Sequence, residues 1–124
     1  MSQAILLVAH GSRLSSWAES FNYIHREILE LSSKDNVFLC FLQMMSPSLP
    51  EALQNLYQKG FRDVLLWPLF LGVGMHVKND IVEELQSFLE DHPDLNYKIL
   101  PSLAEDKECL DLLVKRGLFF LQDH

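Results

Sequence analysis

Pro68-Leu69-Phe70-Leu71-Gly72-Val73-Gly74-Met75-His76-Val77-Lys78-Asn79-Asp80 decides how this chain is read. The apolar run 64–67 leads into it, and a helical pattern beginning near Lys78 leaves it. Between them lie two glycines and then a histidine, the layout of a strand, a permissive loop and a helix start. A second histidine, His10, holds the same relative place after the first apolar run, in Ile5-Leu6-Leu7-Val8-Ala9-His10-Gly11-Ser12-Arg13. Two imidazoles on two strand-to-helix loops form the nucleus of a candidate site.

Outward from that stretch, short apolar runs alternate with amphipathic ones. Residues 4–9, 37–42 and 63–68 have the length and the Val, Ile and Leu content of buried strands, and 97–100 is a shorter fourth. Residues 13–32 place Trp17, Phe21, Ile24, Ile28 and Leu31 on one helical face. A second helix is expected to about Lys59, with Ser48 as N-cap, Pro50 and Glu51 in its first turn and Gly60 at its C′ position. A third, about 78–90, turns Ile81, Val82, Leu85, Phe88 and Leu89 inward, and Asp80 suits its positive end. After a loop over 101–106, a last helix runs to about Leu121 on Leu110, Leu113, Val114 and Leu118. The order β-α-β-α-β-α-β-α predicts an α/β fold: one three-layer domain over 1–124, a four-stranded parallel sheet with helices on both faces. Right-handed crossovers then bring every strand-to-helix loop to the carboxyl edge of the sheet, where such folds bind ligands. His10, Gln43 and His76 all fall there, at a constant step of 33 residues.

With 124 residues, 48% hydrophobic and 22% charged, the composition is that of an ordinary globular domain. Ten basic against seventeen acidic side chains leave a net charge of −7, which disfavours nucleic acid and anionic membrane as partners. A small anionic ligand stays compatible, because Arg13 and Lys78 each lie within three residues of a candidate histidine. No apolar run approaches the ~20 residues of a membrane span. The first strand begins almost at once without a basic flank, so the cytoplasm is the expected location. Cys40 lies in an apolar strand and reads as a reduced core residue, and neither it nor Cys109 has metal-ligand spacing.

Neutral imidazole suits Fe, Co, Ni, Cu and Zn, and histidine also moves protons near neutral pH. Two histidines without a carboxylate make an incomplete cage, which fits a metal held in transit better than a structural zinc. Competing readings have less support. Gly72-Val73-Gly74 lacks the third glycine of a dinucleotide fingerprint, and no Gly-Lys-Ser/Thr follows. Ser12 has no nucleophile-elbow sequence around it and is expected to hydrogen-bond within its loop. A small hydrolase or transferase would need an activated nucleophile that no motif supplies. His25, His92 and His124 are expected to face solvent.

At His10-Gly11-Ser12-Arg13 and at 68–81 the sequence resembles the small single-domain sirohydrochlorin cobalt-chelatases and ferrochelatases, members of the class II chelatases. The matching patterns are His-Gly-Ser-Arg after the first strand and Pro-x-Phe-Leu-x-x-Gly-x-His-x-x-x-Asp-Ile after the third; Pro47-Ser48 and the strand approach 60–68 agree as well. The resemblance implies a chelatase-like domain and a metal chelatase (a lyase) that needs no ATP. Such an enzyme inserts Co²⁺ or Fe²⁺, and on the same pattern Ni²⁺, into sirohydrochlorin on the way to cobalamin, siroheme or a nickel tetrapyrrole. It implies His10 and His76 as metal-holding and proton-accepting groups, and Ser12, Arg13, Gln43, Gly74 and Lys78 on the tetrapyrrole side. It implies no tightly bound cofactor, and a homodimer in which two copies replace the halves of larger chelatases. The chain departs from the pattern at Gln43, where glutamate is common; at Ala18, where asparagine is common; and at Ser102-Leu103-Ala104, where Leu-Gly is usual. An amide offers hydrogen bonds and a weak oxygen ligand but neither a base nor a negative charge. Gln43 therefore motivates the alternative, a non-catalytic tetrapyrrole or metal carrier of the same fold.

Overall fold

All four apolar runs become strands, and all four are parallel. The computed structural model describes residues 3–32, 34–71 and 75–122, the last of these without the side chains of Met75 and His76. The strands β1 (Gln3–Ala9), β2 (Val37–Phe41), β3 (Asp63–Pro68) and β4 (Asn96–Ile99) lie in the order β2-β1-β3-β4. In β1, which has neighbours on both sides, Ala4, Leu6, Leu7, Val8 and Ala9 are fully buried. That explains an apolar run with no polar alternation: both pleat faces meet hydrocarbon.

The α-helices are α1 (Glu19–Ser32), α2 (Leu49–Gln58), α3 (Met75–Asp91) and α4 (Lys107–Phe120). On one face of the sheet, Leu6, Val8, Cys40 and Leu66 pack with Leu53 and Leu56 of α2 and Ile81 and Leu85 of α3. On the other, Leu7, Leu39 and Phe41 pack with Phe21, Ile24 and Ile28 of α1. The three-layer architecture is as expected. Because the chain moves from β1 outward to β2 and from β3 outward to β4, β1 and β3 flank the point where the winding reverses. Such a reversal point is the place where sheets of this kind take ligands.

Several local expectations hold. Ser48 accepts from the Glu51 amide while Glu51 accepts from the Ser48 amide, a capping box with Pro50 in the first turn. Gly60 adopts φ +99° just past the C-cap Lys59. Cys40 is a buried free thiol, and burial pushes its pKa well above the ordinary range.

Others are corrected. The helix expected from Arg13 starts later: Leu14 is extended, its amide bonds the Ser12 hydroxyl, and a 3₁₀ turn (Ser15–Ala18) precedes α1. The loop 101–106 contains a second 3₁₀ turn (Leu103–Glu105), capped reciprocally by Ser102 and Glu105. The third helix begins at Met75, earlier than expected, so His76 stands in a first helical turn and not in a loop. His25 does not face solvent: its Nε2 lies 2.8 Å from the Val37 carbonyl, bridging α1 to β2. His92 is half-buried, stacked on Phe88 at 4.0 Å with Nδ1 2.9 Å from the Phe88 carbonyl, so it closes the end of α3. His124 lies outside the described residues. The largest difference concerns α4, which buries no residue, its main neighbour being the 3₁₀ turn before it. Among the described residues no helix is long and apolar enough to cross a membrane.

One surface cluster ties the helical layer over β3 and β4 together. The Tyr57 hydroxyl donates to Asp94 at 2.7 Å, Arg62 pairs with the same carboxylate at 3.1 Å, and the Arg62 guanidinium stacks 3.6 Å over the Tyr57 ring. The Tyr57 hydrogen bond, with Arg62 assisting, holds the Asp94 carboxyl below its ordinary value. A depressed carboxylate pKa contributes stability above the unfolded value, about 3.9, and loses it as pH falls through the folded value. Asp94→Asn is therefore expected to lower Tm slightly at pH 7, with the difference from the unsubstituted chain fading below that value; a pH series of thermal melts checks both.

Candidate functional site

The site is built by backbone before any side chain enters it. Past the last β1 and β2 residues, Leu42 N donates to Ala9 O at 3.0 Å and Gln43 N donates to His10 O at 3.1 Å. On the opposite side, Leu69 N donates to Val8 O at 2.8 Å. The carboxyl end of β1 is thus fastened to both neighbours. Gly11 makes the fastening possible. It adopts φ +104°, and a Cβ there would overlap the Gln43 carbonyl oxygen.

This places His10 and Gln43 side by side. Gln43 Nε2 donates to His10 Nδ1 at 3.2 Å. Turned end for end, the same amide would accept from Nδ1–H, which leaves the Nε2 lone pair of the ring free to bind a metal. Gln43 can therefore hold the ring in either tautomer. Phe70 meets His10 edge-on, centroids 5.8 Å apart, and fixes the ring from another side. His10 itself is exposed, so an ion can reach it from solvent.

Beside His10 opens a pocket of about 290 Å³, lined by His10, Leu42, Gln43, Val77, Asp80, Glu83 and Glu84. At ~30 Å³ per water, that space accommodates an ion with its hydration shell but not a whole tetrapyrrole. Burial, and secondarily the charge of Asp80, pushes the Glu84 carboxyl above its ordinary value. No three His, Cys, Asp or Glu side chains among the described residues are gathered into a metal cage.

The other expected residues divide. The Ser12 hydroxyl accepts from the Leu14 amide at 3.1 Å, the loop role foreseen for it. Arg13 is exposed just beyond. Lys78 is also exposed, one turn into α3; its charge helps hold the Glu105 carboxyl below the ordinary value, behind the larger effect of the Ser102 hydrogen bonds. Gly74 lies outside the described residues, and of His76 only the backbone position is described. Position 76 is the second residue of α3, the helix that follows the strand adjoining β1. The acidic wall was not singled out from the sequence. Its signal was present, since 76, 80 and 84 fall at four-residue steps that share one side of a helix.

A family model described as CbiX matches residues 4–117. A sirohydrochlorin cobaltochelatase of Saccharolobus islandicus is 31% identical over 121 residues, covering 90% of this chain and 91% of that protein. A sirohydrochlorin ferrochelatase of Priestia megaterium is 29% identical over 116 residues, 91% of this chain but 42% of that protein. Some relatives are thus of similar length, and the chain spans about half of others. Among solved structures, SirB from Bacillus subtilis with Fe³⁺ superposes with a TM-score of 0.83 at 23% identity, over 99% of this chain and 49% of that one. A CbiX protein from Marinobacter aquaeolei VT8 gives 0.79 at 22%, over 94% and 93%. At those identities the superpositions speak for the fold.

Gly11→Ala is expected to force the β1 and β2 ends apart and to destabilise the fold by about 1–3 kcal/mol. Denaturant unfolding measures the loss, and an amide NMR spectrum should show the shift centred on His10 and Gln43.

Proposed function

The chain belongs to the CbiX family, and from that membership we propose that it is an ATP-independent chelatase inserting Co²⁺ or Fe²⁺, with Ni²⁺ open to the same ligands, into sirohydrochlorin. The observation that carries this reading is a solvent-exposed imidazole, steadied by an amide and an aromatic edge, at the mouth of an acidic pocket sized for an ion. The cytoplasmic location expected from the sequence goes with it.

The chemistry asks for three things. Water must leave the ion, the ion must reach the plane of the macrocycle, and two pyrrole N–H protons must depart as its two positive charges arrive. His10, with Nδ1 held by Gln43, offers a nitrogen that can replace water on the ion; we assign His76 the same task from position 76. Imidazole can also accept a departing proton near neutral pH. The macrocycle is too large for the pocket and lies across its mouth, against Phe70 and the exposed Leu71. Arg13, exposed on the loop after β1, and Lys78, exposed in the first turns of α3, meet its peripheral carboxylates. Ser12 shapes the first of those loops.

Anaerobic Co²⁺ or Fe²⁺ insertion, followed by the absorption change of the macrocycle, tests the proposal. A His10→Ala, His76→Ala double variant is expected to lose at least ~100-fold in rate. An unsubstituted chain no faster than that variant would sink the reading. Binding of sirohydrochlorin without turnover, with turnover appearing in Gln43→Glu, would favour the carrier alternative that Gln43 motivates.

We further propose that the working unit is a homodimer. Leu113, Val114, Leu118 and Phe120 of α4 are 54–66% exposed, large apolar side chains turned to water along one helix. The sheet has a matching deficit. On the face covered by α1, Leu65 and Trp67 of β3 are only half-buried, although a central parallel strand is normally covered on both sides. The half-length match to longer relatives supports a second copy as the partner, its α4 covering this strip and its edge extending the shelf over which a macrocycle can lie. Sedimentation equilibrium is expected to give a dimer for the unsubstituted chain and a monomer for Leu113→Asp, Leu118→Asp. A monomer at tens of micromolar without substitution would overturn this.

A further inference from the structure

Asp80, Glu83 and Glu84 all line the pocket beside His10, yet Glu84 differs from its neighbours. Among the described residues, its Oε2 is the one buried side-chain oxygen without a hydrogen-bond partner. Folding strips water from that oxygen and gives nothing back. The raised carboxyl pKa has the same origin. A glutamine would keep the shape and shed the desolvated charge, so packing alone gives no reason for an acid here.

The opposite imbalance exists across the pocket. Gln43 sits against His10 and cannot carry charge. A divalent ion entering beside His10 and Gln43 would find no negative charge on that side of the recess, since the carboxylates that line it all come from α3. The geometry points to Glu84 as the anionic group that meets the incoming divalent cation across the pocket from His10, supplying the charge that Gln43 lacks.

Its place on α3 fits this. Position 84 is two helical turns below position 76 on the same side, with 80 between them. For the ion's destination, the inference rests on the chelatase reading. The contact between ion and carboxylate does not.

Titration with Co²⁺ alone, without tetrapyrrole, tests the contact directly. Glu84→Gln is expected to weaken Co²⁺ binding about tenfold or more while leaving Tm at or above that of the unsubstituted chain. The double variant Glu84→Gln, Gln43→Glu should regain most of the affinity, because the carboxylate then returns beside His10. Glu90→Gln, an exposed change on the same helix, should leave binding unchanged. Binding by Glu84→Gln within twofold of the unsubstituted chain would overturn the assignment, and so would a double variant that regains nothing. Insertion assays on the same proteins separate the two ideas. A chain that binds Co²⁺ through Glu84 but inserts none defeats the chelatase reading alone; one that inserts equally well with and without Glu84 defeats this inference alone.

Discussion

The hydrogen bond from Gln43 N to His10 O is the constraint on which the site depends. It prolongs the β1–β2 pairing past the end of both strands, into what would otherwise be free loop. The two side chains that follow then have no choice of neighbour, and the Gln43 amide meets the His10 ring. A backbone so close to another backbone tolerates no Cβ, and Gly11 at φ +104° satisfies both demands. The buried β1 anchors all of this in the sheet interior, so the exposed imidazole rides on one of the best-packed parts of the molecule.

Much of this was legible in the sequence because the signals were local. Ser48 with Glu51, Gly60 after Lys59 and the unbroken apolar runs each name their own structure through backbone chemistry. The shared edge of His10 and Gln43 followed from the constant spacing and the handedness of crossovers. What escaped needed a partner distant in sequence, or a competing choice. His25 reads as a surface residue until the Val37 carbonyl is known to lie beside it. His92 was closer to legible, since a histidine four residues after Phe88 at a helix end can reach that carbonyl. The start of α3 is hard to read because the sequence before Met75, Gly72-Val73-Gly74, offers no Ser, Thr, Asp or Asn as a start signal. The periodicity of α4 was plain, but a period says that a face is apolar without saying what covers it.

The electrostatics divide the mouth of the pocket. Asp80, Glu83 and Glu84 make its lining negative, while Arg13, on the loop after β1, and Lys78, early in α3, stand exposed to solvent. On the proposed function, a chain of net charge −7 would thus draw a cation inward and still accept a polyanionic macrocycle. On the chelatase reading this segregation has a kinetic meaning. The two reactants approach by different routes, and each finds a field of the right sign only where it is needed.

The bare apolar flank of α4 also bears on how such a chain survives in a cell. If its cover is a twin, newly made copies spend their first moments with a greasy rod in water, and how long they do so depends on how many twins are nearby. Scarcity would then be punished twice, by clumping and by proteases that seek unshielded helices. A chain that carried both halves in one polypeptide would escape this dilution penalty, because its second half would never be more than a linker away.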